Sequence, residues 1–292
     1  MVKRWILGGL IAALGVTGGA AGYAVLDPEG TPPLFLASEY DETPVLRAIG
    51  LTDDQRLVGF RVDKPSDLRE VGKISGLAGD TRLVGIDYRV QDGKLYGVGE
   101  AGGVYQLANN AKATKVSQLT VRLSGKSFGV DFNPVADRVR IVSDTGQNLR
   151  HMMGQSGTAA ATTTDTTLTY PPATTPSTGV TAGAYTNNDL DPDTSAVLFD
   201  LDVTMDQLAM QSPANSGQLV PIGKLGMDVT AAGFDIYSML RGDRAVDAFG
   251  FATLTGPTGP SAMYRVSLVT GKASKIGDFP VKVTDLALPL NQ

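Results

Sequence analysis

Cysteine is absent from the 292 residues, which excludes disulfides, thiolate nucleophiles, thiolate metal sites and the acylated cysteine of a lipoprotein anchor. Histidine is nearly absent. The single His151 has no readable Ser and Asp constellation, so a Ser-His-Asp hydrolase has little support and strand packing accounts for the residue. Charged residues reach only 19%, with a formal net charge of -5, so no broad basic field exists to meet a phosphate backbone. Nucleic acid is not an expected partner. Amphipathic helical stripes are missing too, and neither a strand-to-helix GxGxxG nor a GK[ST] nucleotide motif occurs.

What is plentiful is glycine (35) and proline (16), between short β-branched and aromatic runs. That is the composition of many turns and buried strands, and one large β domain can use the whole length. The first residues differ. Lys3 and Arg4 precede Trp5 to Leu26, a run without any charge that ends at Asp27-Pro28-Glu29-Gly30. Two readings fit this hydrophobic helix: a cleaved signal peptide, or an anchor whose residues at about 1.5 Å rise cross a bilayer core. Its many glycines weaken an anchor and supply small residues for cleavage near Ala20 or Ala24, yet no Ala-x-Ala triplet occurs. Either reading places the remainder outside the cytoplasm, secreted or held at the cell membrane, with membrane contact only through residues 5–26. The domains are therefore residues 1–30, a signal or anchor with a short linker, and residues 31–292.

Two patterns recur in step along that second part. The first, Gly-apolar-Asp-apolar, appears at Gly85-Ile86-Asp87-Tyr88, Gly129-Val130-Asp131-Phe132 and Gly233-Phe234-Asp235-Ile236, and more loosely at Val283-Thr284-Asp285-Leu286. The aspartates are 44, 104 and 50 residues apart, and Gly183-Ala184-Tyr185 marks a degenerate copy inside the doubled interval. The second, apolar-small-polar-apolar, starts at Val71, Val116, Ile222 and Ile276 and is doubled in the same place. Two further strands lie between the patterns, clearest at 94–98 and 103–107, where Asp92-Gly93 signals a hairpin. Four strands per unit of this length predict an all-β fold: a single β-propeller of about five four-stranded blades. The first unit, residues 45–75, has only three strands, and an orphan strand at Val281 to Leu288 comes last. The C-terminal strand is therefore expected to close the first blade and protect its edge. The Thr/Pro-rich residues 163–180 read as a projecting loop.

Residues Gly129 to Arg150 (GVDFNPVADRVRIVSDTGQNLR) resemble the hallmark segment of an uncharacterised bacterial group, the domain of unknown function family 4394. The resemblance runs over roughly residues 45–289, with further landmarks at Gly183 to Asn187, Asp206-Gln207-Leu208 and Gly226 to Ile236. It implies a secreted or surface repeat-β domain. It brings no activity, cofactor or catalytic residue that could be transferred.

Period-two geometry puts Gly85 with Asp87, Gly129 with Asp131, and Gly233 with Asp235 on like strand faces, so several carboxylates could approach a propeller axis. There they could bind a ligand or cation, or act as an acid and base on a glycosidic bond. The structural alternative has each Asp accepting backbone N–H bonds while Gly gives clearance to the next blade. Recurrence in every unit favours structure, because catalytic sets are asymmetric. Asn133 and the turn residues Asp144, Gln147 and Asn148 complete the candidate ligand contacts. Asp189, Asp191 and Asp193 alternate as in a calcium loop, but Thr194 stands where the sharp turn needs Gly. An Asp-rich hairpin explains them better. Calcium is the one conceivable cofactor, and no catalytic residue is assigned. The expected function is noncatalytic binding or scaffolding for an extracellular glycan, peptide or protein; the alternative is a carbohydrate-active hydrolase using axial carboxylates.

Overall fold

The computed structural model describes residues 45–154, 159–191, 193–290 and 292. The N-terminal hydrophobic segment lies outside them. Among the described residues no helix is long and apolar enough to cross a membrane.

The chain forms five antiparallel four-stranded sheets. Strands β1 (Arg47–Thr52), β2 (Arg56–Arg61) and β3 (Lys64–Lys73) open it. The second blade is β4 (Leu83–Arg89), β5 (Lys94–Gly99), β6 (Gly103–Leu107) and β7 (Ala113–Gln118). The third is β8 (Phe128–Asn133), β9 (Arg138–Ser143), β10 (Asn148–Met152) and β11 (Ala161–Thr164). The fourth is β12 (Val180–Tyr185), β13 (Leu198–Asp202), β14 (Gln207–Gln211) and β15 (Leu219–Lys224). The fifth is β16 (Ala231–Arg241), β17 (Arg244–Thr255), β18 (Ala262–Val266) and β19 (Ala273–Asp278). The last strand, β20 (Val283–Ala287), returns to pair with β1, Gly50 opposite Leu286 and Leu51 opposite Asp285. The expected closure is thus present, and the first blade reads β20-β1-β2-β3. Asp92-Gly93 is a tight hairpin, with Gly93 at φ +64 and the Lys94 amide donating to Asp92 Oδ1.

Five inner strands, β20, β4, β8, β12 and β16, surround the axis, each against the next. Core side chains lie between blades, face to face. Phe60, Phe251 and Met263 join the fifth blade to the first, Leu57 and Leu83 the first to the second, Val98 and Ile141 the second to the third, Phe199 and Phe234 the fourth to the fifth. Burying each such side chain contributes about 1.5–3 kcal/mol, so blade stacking supplies the stability that disulfides do not.

The Thr/Pro-rich stretch corrects the expectation of a projecting loop. Ala161–Thr164 is the outer strand of the third blade, Leu168 is wholly buried, and the Leu168 and Thr169 amides donate to Gly146 and Gly217 carbonyls. Only residues 171–176 are exposed as a run. Threonine suits strands, and one leucine is enough to fasten the segment across the third and fourth blades.

Candidate functional site

The Gly-apolar-Asp strands are the inner strands, and their carboxylates form a relay around the axis. Asp285 Oδ2 of the first blade accepts Ile86 N–H of the second at 2.9 Å. Asp87 Oδ2 accepts Phe132 N–H of the third at 2.7 Å, and Asp131 Oδ1 accepts Tyr185 N–H of the fourth at 3.2 Å. Asp235 Oδ2 of the fifth accepts Leu288 N–H, just beyond β20, at 2.6 Å. The fourth blade has Tyr185 where the others have Asp, and its junction uses Asn187 N–H to Ser238 Oγ at 2.7 Å. Glycine stands two residues before Asp87, Asp131 and Asp235 because the next blade passes against it, whereas Val283 takes that place before Asp285. A methyl on Gly129 would strike the Gly183 nitrogen, and one on Gly233 would lie 2.5 Å from Asp285 Cα.

Burial drives the electrostatics. All four carboxylates have under a tenth of their surface exposed. Desolvation first, then Asp235, raises Asp87 well above the usual carboxylate range. Desolvation, then Asp87 and Asp235, does the same to Asp131, and burial raises Asp285. Asp235 is pushed up to about 6 by burial, opposed by the Leu288 and Ile236 amides.

Among the described residues, Asp87, Asp131 and Asp235 form the one group able to offer a metal three carboxylate oxygens, all within 4.8 Å of one another. The cavity they line is only about 10 Å³, room for roughly one water or ion. A sugar ring does not fit. What the arrangement does is join blades.

The other candidates are held elsewhere, each by local bonds. Asn133 ends β8, and its Oδ1 caps the following turn by accepting the Val135 and Ala136 amides. The β9–β10 turn lies at the opposite end, since Ser143 pairs with Phe128 at the start of β8. There Asp144 Oδ1 accepts Lys126 N–H at 2.9 Å, and Gln147 bonds Ser124 N–H and Arg122 C=O, each at 2.9 Å. Asn148 is buried, accepting from Arg140 and donating to Thr166 and Ala214 carbonyls. Asp189 accepts the Asp191 and Ala245 amides, while Asp191 accepts Asp193 N–H and pairs with Arg244 at 3.1 Å. These oxygens brace a turn. His151, wholly buried, sits between Ser117 Oγ at 2.8 Å and Thr162 Oγ1 at 3.0 Å, linking the second and third blades. Burial pushes the imidazole down to about 4.

A family model described as Domain of unknown function (DUF4394) matches residues 56–287. The chain belongs to that family. No curated protein matches it. An auxiliary nutrient binding protein from Bacteroides thetaiotaomicron aligns at 15% identity and TM-score 0.39, over 70% of this chain and 52% of that one. A structural genomics protein of unknown function from the same organism aligns at 11% and 0.45, over 85% and 68%. TolB from Acinetobacter baumannii aligns at 10% and 0.40, over 80% and 53%. The chain thus spans about half the length of the nutrient binding protein and of TolB.

Two features of this DUF4394 member were not readable as sites in the sequence. One is a groove of about 540 Å³ between the first and second blades, lined by Ile49, Leu57, Val71, Leu95 and Leu107 together with Lys94. The other is a buried polar layer around Arg140 and Asp200, between the third and fourth blades. Each is assembled from different blades, so no local pattern announces it.

Proposed function

We propose that this chain is a noncatalytic binding or scaffolding propeller acting outside the cytoplasm, with a glycan, peptide or protein as its ligand. The observation that carries the reading is the closed axis. The four axial carboxylates are engaged by backbone amides, and the space left is about 10 Å³. Acid-base hydrolysis of a glycoside needs two carboxyl groups flanking a bound sugar, and a retaining pair stands about 5–5.5 Å apart with the sugar between them. Binding is better served by the groove between the first two blades, whose volume falls within the roughly 300–1,000 Å³ of small-ligand sites. The uncharged run from Trp5 to Leu26 behind Lys3 and Arg4 supports the location.

The test is an array of extracellular glycans and peptides probed with the full chain, with each bound glycan then assayed for cleavage. Binding without cleavage, weakened by Lys94→Glu and kept in Asp235→Asn, is the expected result. Cleavage that disappears in Asp235→Asn would overturn the proposal in favour of a hydrolase.

A further inference from the structure

The groove between the first and second blades lies beside the point where the chain enters the propeller. Ile49, two residues into β1, lines it together with Leu57, Val71, Leu95 and Leu107. Ile49 and Val71 are only partly buried, so the stacking of the two blades leaves apolar surface uncovered there. Arg47 shares the strand face of Ile49 and is exposed, and Val45, the first described residue, keeps 65% of its surface exposed. Four residues separate Val45 from Ile49, about 13 Å of extended chain.

The sequence just before that point matches the groove in chemistry. Leu34-Phe35-Leu36 is an apolar triplet nine to eleven residues ahead of Val45, and Glu39, Asp41 and Glu42 follow it. From Asp27 to Pro44 the chain carries five acidic residues and no basic one. On the other side, the aliphatic lining carries one cation, Lys94, whose ammonium has no ion-pair partner among the described residues. Reach agrees as well. A nine-residue tether spans about 15–18 Å as a coil and at most about 30 Å when extended. A tether whose length matches its span holds a segment at an effective concentration in the millimolar range, so even weak contacts keep it in place.

We propose that the chain's own segment Leu34 to Glu42 docks in the groove between the first two blades, with Leu34, Phe35 and Leu36 on the aliphatic lining and the acidic residues towards Lys94. The inference rests on the reading of this groove as a binding site and names its resident occupant. Entry point, reach and charge coincide at this one place, which is why the occupant is the chain itself and not an unrelated partner. An outside peptide of the same chemistry must displace the tethered one, so the segment lowers the apparent affinity of the groove for such ligands.

The test is disulfide trapping, which the absence of native cysteine makes unambiguous. In the full chain, held in lipid nanodiscs, Ala37→Cys is combined either with Asn109→Cys, in the groove lining, or with Val281→Cys, beyond the Thr52 end of β1 and away from the groove. Asn109 and Val281 are both exposed, so the fold tolerates either substitution. Under mild oxidation the Ala37/Asn109 pair should close about tenfold faster than the Ala37/Val281 pair, at a rate independent of protein concentration. Phe35→Asp should remove that advantage, and Lys94→Glu should reduce it at low salt. Equal rates for the two pairs overturn the proposal, as does a fast Ala37/Asn109 closure that Phe35→Asp leaves unchanged. A rate that rises with protein concentration and yields dimers overturns it in favour of a second copy's segment. An array peptide whose binding Lys94→Glu weakens, together with no trapping, also overturns it while the groove remains a site for outside ligands.

Discussion

The carboxylate of Asp285, on the last strand, accepts the N–H of Ile86, on the inner strand of the second blade, at 2.9 Å. The same strand pairs with β1 through Leu286 and Gly50. β20 thus completes the first sheet along its edge and grips the next one across its face, while Leu288, just after it, satisfies Asp235 of the fifth blade. One short segment closes the ring in three directions.

Deleting residues 281–292 should therefore abolish folding rather than weaken one blade. The deletion removes the buried Val283, Leu286, Ala287 and Leu288, exposes the edge of β1, and strands the Asp235 carboxylate. Losses of about 1.5–3 kcal/mol for each large side chain exhaust a typical stability of about 5–15 kcal/mol. Circular dichroism of the truncated protein should show no cooperative transition, and adding a peptide of residues 279–292 should restore one.

Gly129→Ala should cost about 3 kcal/mol or more, because the added methyl meets the backbone of Gly183 and Ala182, which cannot move without separating two blades. Gly93→Ala is the control. Nothing lies within 4 Å of that position, so only the positive φ is strained, at about 1 kcal/mol. Urea unfolding of the two variants should separate them clearly.

Stability should fall as pH rises above 6.5. A carboxyl whose folded pKa is raised stabilises the fold most below about pH 4 and loses that contribution as pH climbs through the folded value. Asp235 at about 6 and Asp200 at about 8, with Asp87, Asp131 and Asp285 also raised, place the loss across the neutral range. His151, held near 4, acts oppositely: its contribution is complete above about 6.5 and disappears as pH drops towards 4. Between pH 6.5 and 8.5 the histidine is silent, and each group still holding its proton in the fold steepens the decline by about 1.4 kcal/mol per pH unit. Below 6.5 the two trends oppose each other, and His151→Asn should restore a rise in melting temperature towards acid.

The propeller was legible because its joints repeat. Three inner strands meet their neighbours closely enough to need glycine and use an aspartate to hold them, so Gly85, Gly129 and Gly233 recur with Asp87, Asp131 and Asp235 at blade spacing. The fourth blade broke the ladder since Tyr185 replaces Asp there and Asn187 takes over the junction. The outer strands of the other four blades carry the second pattern, at Val71, Val116, Ile222 and Ile276, but β11 is exposed along most of its length and keeps no motif, which hid a strand inside a Thr-rich run. In the sequence Asp200 is one polar residue within the run Ala196 to Leu201. The charge that acts on it, Arg140, lies 60 positions earlier in another blade. Likewise nothing near His151 in the chain points to Ser117, its partner from another blade.

The account rests on the axial carboxylates being joints rather than an active centre, and thermal unfolding of Asp131→Asn and Asp131→Ala tests that most directly. The amide keeps a carbonyl oxygen for the Tyr185 N–H and, like the protonated carboxyl that burial favours, carries no charge, so Asp131→Asn should melt within about 1 kcal/mol of wild type. Asp131→Ala leaves that amide unpaired and should lose about 1–3 kcal/mol, or roughly 3–9 °C. Unchanged melting temperatures in both variants, together with loss of a glycoside-cleaving activity present in wild type, would contradict it.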